Sequence, residues 1–150
     1  MKQGFVKVAS ATPRIRVADP VYNAQVICEQ AKEAAEHGAK IVVFPELCIT
    51  GYTCNDLFLQ ELLLEKAKEA LLTIAEETGQ LETLFLVGLP VDKDGRLYNV
   101  AAVLYRGRIL GMIPKKNIPM YAEFYEGRHF TPGEELSLIH ISEPTRLGMI

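Results

Sequence analysis

Four consecutive apolar residues, Ile41-Val42-Val43-Phe44, stand between a helix-stopping glycine at position 38 and a proline at position 45. A run bounded this tightly reads as a strand buried on both faces. The residues before it are helical in pattern, with Val21, Ala24, Ile27, Cys28, Ala31, Ala34 and Ala35 recurring on one face. Asp19-Pro20 supplies the start signal, an N-cap followed by proline at the first helical position. Gly38 supplies the end. Upstream, residues 5–9 alternate apolar and polar side chains and read as another strand. Strand, helix and strand with short links make a crossover unit and predict an α/β fold.

The rest of the chain continues that reading. Residues 50–56 form a polar loop, and Leu59, Leu62, Leu63, Ala67, Ala70, Leu71, Ile74 and Ala75 mark a second helix closed at Gly79. Residues 84–89 are a third apolar strand. Asp94-Gly95 is a hairpin signal leading to a strand over 97–105, and Arg106-Gly107 turns into another over 108–113. The 150 residues suit one domain or part of one, and 49% hydrophobic content is enough for a core. A net charge of −3 points to neither nucleic acid nor an anionic membrane. No apolar run reaches the ~18 residues of a spanning helix, and the first residues lack a signal peptide's apolar stretch. Cys28, Cys48 and Cys54 contain no CxxC pair and no ligand-like histidine spacing. They read as reduced thiols of a cytoplasmic protein, with no metal site.

Two residues suggest chemistry. Glu46 directly follows the Ile41-Val42-Val43-Phe44 strand, and Pro45 fixes the backbone just before it. Open α/β sheets place ligands at the carboxyl ends of strands, where a carboxylate can act as a general base. Taken singly, Glu46 reads more readily as a surface turn glutamate than as a catalytic one. Lys115, in Ile113-Pro114-Lys115-Lys116-Asn117-Ile118-Pro119, also follows an apolar strand. A lysine that stays charged can stabilise an oxyanion, but alone it reads as a solvated turn. Acyl-transfer chemistry also needs a nucleophile. Cys28 lies on the apolar face of the first helix and reads as core, while Cys48 and Cys54 flank the Glu46 loop and are poor candidates that position alone does not dismiss. No Gly-x-Ser-x-Gly elbow and no glycine-rich phosphate loop occurs.

Phe44-Pro45-Glu46-Leu47 followed by Thr50-Gly51-Tyr52 resembles the first signature of the nitrilase, or carbon–nitrogen hydrolase, superfamily. The loop through Thr53-Cys54-Asn55-Asp56-Leu57-Phe58 is similar to its glutamine-dependent NAD synthetase branch. So is the stretch from Pro114 through Tyr121-Ala122-Glu123-Phe124-Tyr125-Glu126-Gly127-Arg128-His129-Phe130 to Gly133. The resemblance implies the N-terminal part of a four-layer αββα sandwich with a Glu–Lys–Cys site. Glu46 matches the general base and Lys115 the oxyanion-stabilising lysine. Glu123 matches a second glutamate supporting that lysine, and Tyr52 and Tyr121 match tyrosines lining a glutamine pocket. The matching cysteine would lie beyond residue 135. The implied activity is a glutaminase whose ammonia amidates nicotinic acid adenine dinucleotide in a synthetase domain using ATP and magnesium. Assembly into homo-oligomers is also implied.

Residues 136–146, Leu-Ser-Leu-Ile-His-Ile-Ser-Glu-Pro-Thr-Arg, resemble the in-frame translation of a sequencing-library adapter. On that reading 1–135 is the start of the hydrolase domain, 136–150 is not native protein, and the chain by itself is inactive. Two alternatives stay open. One is a stand-alone amidase of the same superfamily, such as an omega-amidase or carbamoylase. The other is a non-catalytic α/β binding domain.

Overall fold

A computed structural model describes residues 4–120 and 126–133. Strand β1 (Val8–Ser10), helix α1 (Pro20–Glu36) and strand β2 (Ile41–Val43) form the first crossover, with β1 and β2 parallel. Asp19 caps α1 by accepting from the Tyr22 N–H at 3.1 Å, and Pro20 occupies the first turn. Gly38, at φ +86°, lets the chain leave the helix in a left-handed conformation.

A second crossover follows. Helix α2 (Glu61–Glu77) returns the chain to strand β3 (Leu84–Lys93), which pairs parallel with β2. Strands β4 (Arg96–Tyr105) and β5 (Arg108–Pro114) then add antiparallel, giving the sheet order β1-β2-β3-β4-β5. Both hairpins are two-residue turns with φ positive at each position: 52° and 75° at Asp94-Gly95, and 50° and 80° at Arg106-Gly107. That geometry matches strand twist, which is why the two dipeptides were legible.

Two successive crossovers of the same hand, advancing in the same direction, put both helices on one face of the sheet. The core lies there. Ile27, Ala31, Leu71 and Ile74 pack against Val42, Phe85, Val87, Leu89, Leu104 and Met112, all fully buried or nearly so. The opposite face carries the alternate residues and is covered only in part: the Pro45–Leu47 backbone lies on Gly88, and Leu97 packs with Leu47, Phe58 and Phe130, while other positions stay open. Val43 is 46% exposed and Ile113 45%. The expectation that the second strand is buried on both faces is therefore corrected: among the described residues there are one helix layer and one sheet layer, and only the Val42 side of that strand is covered. Leu59 and Leu62, read as apolar-face positions of the second helix, are both 64% exposed. Leu59 falls in a 3-10 turn (Asn55–Leu59) ahead of α2, so the helical phase starts later than the pattern suggested. The first strand also starts later than expected, at Val8.

β3 runs past residue 89, its expected end, and through Pro90 to Lys93. Asn99 turns its carbonyl towards β5, where it accepts from the Lys115 N–H at 2.8 Å. Pro90, opposite Asn99 on β3, therefore occupies a non-hydrogen-bonded position, and its missing N–H would have pointed away from β4.

Candidate active site

The Glu46 turn is held against β3. Phe44 N–H donates to the Leu86 carbonyl at 2.9 Å and Ile49 N–H to the Gly88 carbonyl at 3.1 Å. Between these bonds the backbone of Pro45, Glu46 and Leu47 lies directly on Gly88. A Cβ at that position would come within 2.4 Å of the Leu47 nitrogen, a distance no side chain tolerates. Leu47 adopts φ +53° and turns its fully buried side chain into a second apolar cluster with Phe58 and Phe130. The strained backbone is thus anchored on one side by packing and on the other by the sheet.

Lys115 follows β5 and meets that turn. Its Nζ donates to Glu46 Oε1 at 2.5 Å and to both oxygens of Glu126 at 3.2 Å. Asn99 Nδ2 donates to Glu46 Oε1 at 2.6 Å, and the Tyr52 hydroxyl donates to Glu126 Oε1 at 2.7 Å. Two carboxylates therefore flank one ammonium. Burial alone would lower the Lys115 pKa, but hydrogen bonds and charge from Glu46 and Glu126 outweigh it and hold the lysine above its ordinary value. The ammonium stays protonated and available as a donor at neutral pH.

Glu126 is buried, with a side chain only 6% exposed. Its segment is tied down at several points. Phe130 meets Phe58 edge-on at 5.0 Å between ring centres, and Thr131 N–H donates to the Leu97 carbonyl at 2.7 Å. Gly133 N–H donates to the Lys115 carbonyl at 2.9 Å. Asp56 receives Arg128 Nε at 3.2 Å and His129 Nε2 at 3.0 Å. The His129 bond, aided by the Arg128 charge, holds the Asp56 carboxyl below its usual range.

The structure thus brings together Glu46, Lys115 and Tyr52 among the residues singled out from sequence. Glu123 and Tyr121 lie outside the described residues. Glu126 and Asn99 were not singled out. No spacing rule joins Glu126 to Tyr52, 74 residues away, or Asn99 to Glu46, 53 residues away. The three thiols are buried. Desolvation pushes Cys28 and Cys48 up to about 12 and raises Cys54 as well. None is poised as a thiolate. Two hollows flank the cluster. One of about 310 Å³ is lined by Glu46, Asn99, Lys115 and apolar groups of the partly covered sheet face. The other, of about 390 Å³, is lined by Tyr52, Asp56, Phe58 and Glu126.

A carboxylate and an ammonium thus meet at the ends of β2 and β5, a pair able in principle to move a proton and to stabilise an oxyanion. Comparison with known families bears on that geometry directly, since the carbon-nitrogen hydrolase family matches residues 7–149. The chain belongs to the carbon-nitrogen hydrolase family. The glutamine-dependent NAD(+) synthetase of Mycobacterium tuberculosis (strain ATCC 25618 / H37Rv) is 40% identical over 133 residues, 89% of this chain and 20% of that protein. The glutamine-dependent NAD(+) synthetase of Thermotoga maritima is 36% identical over 141 residues, 94% of this chain and 24% of that protein. The chain therefore spans about a fifth to a quarter of the curated relatives it matches. A glutamine-dependent NAD(+) synthetase from Cytophaga hutchinsonii superposes with a TM-score of 0.80 at 31% identity, over 85% of this chain and 22% of that one. A stand-alone comparison comes from an amidase of Nesterenkonia sp. AN1, matched at a TM-score of 0.71 and 25% identity over 87% of this chain and 50% of that one. The matched structure is of a variant of that amidase in which acrylamide has added to the active-site cysteine.

Proposed function

We propose that this chain contributes the base and the oxyanion donor of a glutaminase site, within a longer protein that makes NAD from nicotinic acid adenine dinucleotide. The single observation supporting the reading is Lys115 Nζ within hydrogen-bond reach of both Glu46 and Glu126. A cysteine supplied by sequence outside the described residues would be the nucleophile. Glu46 takes the thiol proton as sulfur attacks the glutamine side-chain carbonyl, and Lys115 stabilises the developing oxyanion. The proton then passes from Glu46 to the leaving nitrogen as the C–N bond breaks, releasing ammonia and leaving a glutamyl thioester. Water, deprotonated by Glu46, hydrolyses the thioester and regenerates the thiol. Tyr52, bonded to Glu126, stands beside the space a glutamine side chain would use. Through family resemblance, Tyr121 is assigned to the same pocket and Glu123 to the support of Lys115.

The ammonia would pass to a synthetase domain of the same chain that uses ATP and magnesium, and the parent would be a cytoplasmic homo-oligomer. Among the described residues no helix is long and apolar enough to cross a membrane. Residues 136–150 are assigned to adapter sequence on their wording, although the family match continues through them to 149. Reading the uninterrupted gene past codon 135 tests both points. A cysteine-bearing hydrolase strand followed by an ATP-binding domain supports the proposal. A stop codon soon after the hydrolase domain favours a stand-alone amidase. In the full-length protein, Glu46→Gln should lower ammonia release from glutamine by about 10²–10⁴-fold, the usual contribution of a general base. Unchanged release would sink the role given to Glu46.

A further inference from the structure

Asn99 bonds the side chain of Glu46 and the backbone of Lys115. It lies on β4 and is only 4% exposed. Its side-chain Nδ2 donates to Glu46 Oε1 at 2.6 Å, while its backbone carbonyl accepts from the Lys115 N–H at 2.8 Å. A buried amide that spends a side-chain donor on a carboxylate gives up hydration to do so, and the bond is charge-assisted. Lys115 Nζ donates to the same carboxylate oxygen. Oε1 thus holds two donors, one of them cationic. Among the described residues, no hydrogen bond falls on Oε2.

We propose that Asn99 is a positioning residue that fixes the Glu46 carboxylate so that Oε2 is the oxygen that exchanges protons with the nucleophile and the leaving group. The inference rests on reading Glu46 as the general base. In the acylation step the S–H bond breaks and its electron pair stays on sulfur to form the S–C bond. The proton moves to Oε2 and is later delivered to the departing nitrogen. Oε1 keeps its two donors throughout. Without the Asn99 bond the carboxylate can rotate about its last torsion, whose well is broad, and either oxygen can turn towards Lys115. Asparagine suits this task because its amide donates without carrying charge. Aspartate, of the same shape, would set a second anion against Glu46.

The test is made in the full-length protein. Asn99→Leu keeps the approximate volume and removes the donor. It should lower kcat for ammonia release about 10- to 100-fold, the scale of one lost hydrogen bond to a charged group. KM for glutamine should stay unchanged, because Asn99 reaches the substrate only through Glu46. In a Glu46→Gln background the same substitution should cost little further. Equal fractional losses in both backgrounds, a loss confined to KM, or unaltered kcat would each overturn the proposal. If Asn99→Leu does not fold, Asn99→Asp replaces it and should depress kcat at least as much, and normal kcat in that variant also overturns the proposal. A second readout needs no activity: a denaturation cycle of Asn99→Leu with Glu46→Ala should be non-additive, and additivity counts against the contact itself. A wild-type protein that releases no ammonia from glutamine would sink the glutaminase reading, while the denaturation cycle still judges whether Asn99 holds Glu46.

Discussion

At the scale of single residues, the site is an arrangement of charge around Lys115. Its folded pKa is raised above the 10.5 of the free side chain. A raised basic pKa means that pairing stabilises the fold fully below 10.5, and that this contribution fades as pH climbs through the folded value. The stability gap between wild-type full-length protein and Lys115→Met should therefore be constant through neutral pH and narrow above about 10.5. Denaturant midpoints measured across that range would show it, and a gap that widens with alkali would contradict the assignment. Glu46 and Lys115 were legible in the sequence because each follows an apolar strand and sits in a recognisable family motif. Glu126 and Asn99 were not. Asn99 looks like any polar residue in an alternating strand, and its importance lies in a contact made only when β4 closes over the Glu46 turn. Glu126 sits among other acidic and aromatic residues, and only the anchoring of Phe130, Thr131 and Gly133 brings its carboxylate to Lys115.

At the scale of elements, β3 is the template for the site. Its Gly88 carries no side chain where the Pro45–Leu47 backbone crosses, and its carbonyl bonds the far end of the turn. Gly88→Ala would force backbone against Cβ and should destabilise the full-length protein by about 1–3 kcal/mol, the range for overpacking. It should also depress glutaminase turnover, since the displaced atoms are those that carry Glu46. Chemical denaturation together with ammonia release checks both, and unchanged values in the two assays would show that the turn does not depend on this approach. The helices and both hairpins were legible because capping residues and positive-φ dipeptides act locally. The length of β3 was not. Proline normally ends a strand, and Pro90 escapes the rule only because its partner Asn99 turns its hydrogen bonds towards β5. The strand boundary therefore depended on pairing parity, which no single segment reveals.

At the scale of the whole molecule, helices cover one side of the sheet, and the Glu46 turn with its apolar cluster covers only part of the other. Val8, Val43 and Ile113 are exposed on the other, and unshielded apolar sheet surface favours self-association. The 150-residue chain, whose three thiols are all buried, should release no ammonia from glutamine, and sedimentation should show it associating. Val43→Thr with Ile113→Thr should shift it towards monomer. Ammonia release by the purified chain would overturn the dismissal of its own cysteines, and a monomeric wild type would show that the bare face is harmless. The same face has a consequence during synthesis. A ribosome adds roughly 5–20 residues per second, so each further hundred residues leaves this surface waiting for some 5–20 seconds. During that interval the nascent chain has a finished helix layer on one side and a sticky, unfinished sheet on the other. A longer protein built on this segment thus has a timing problem, in which chaperone cover and translation speed bear on yield as much as final stability does.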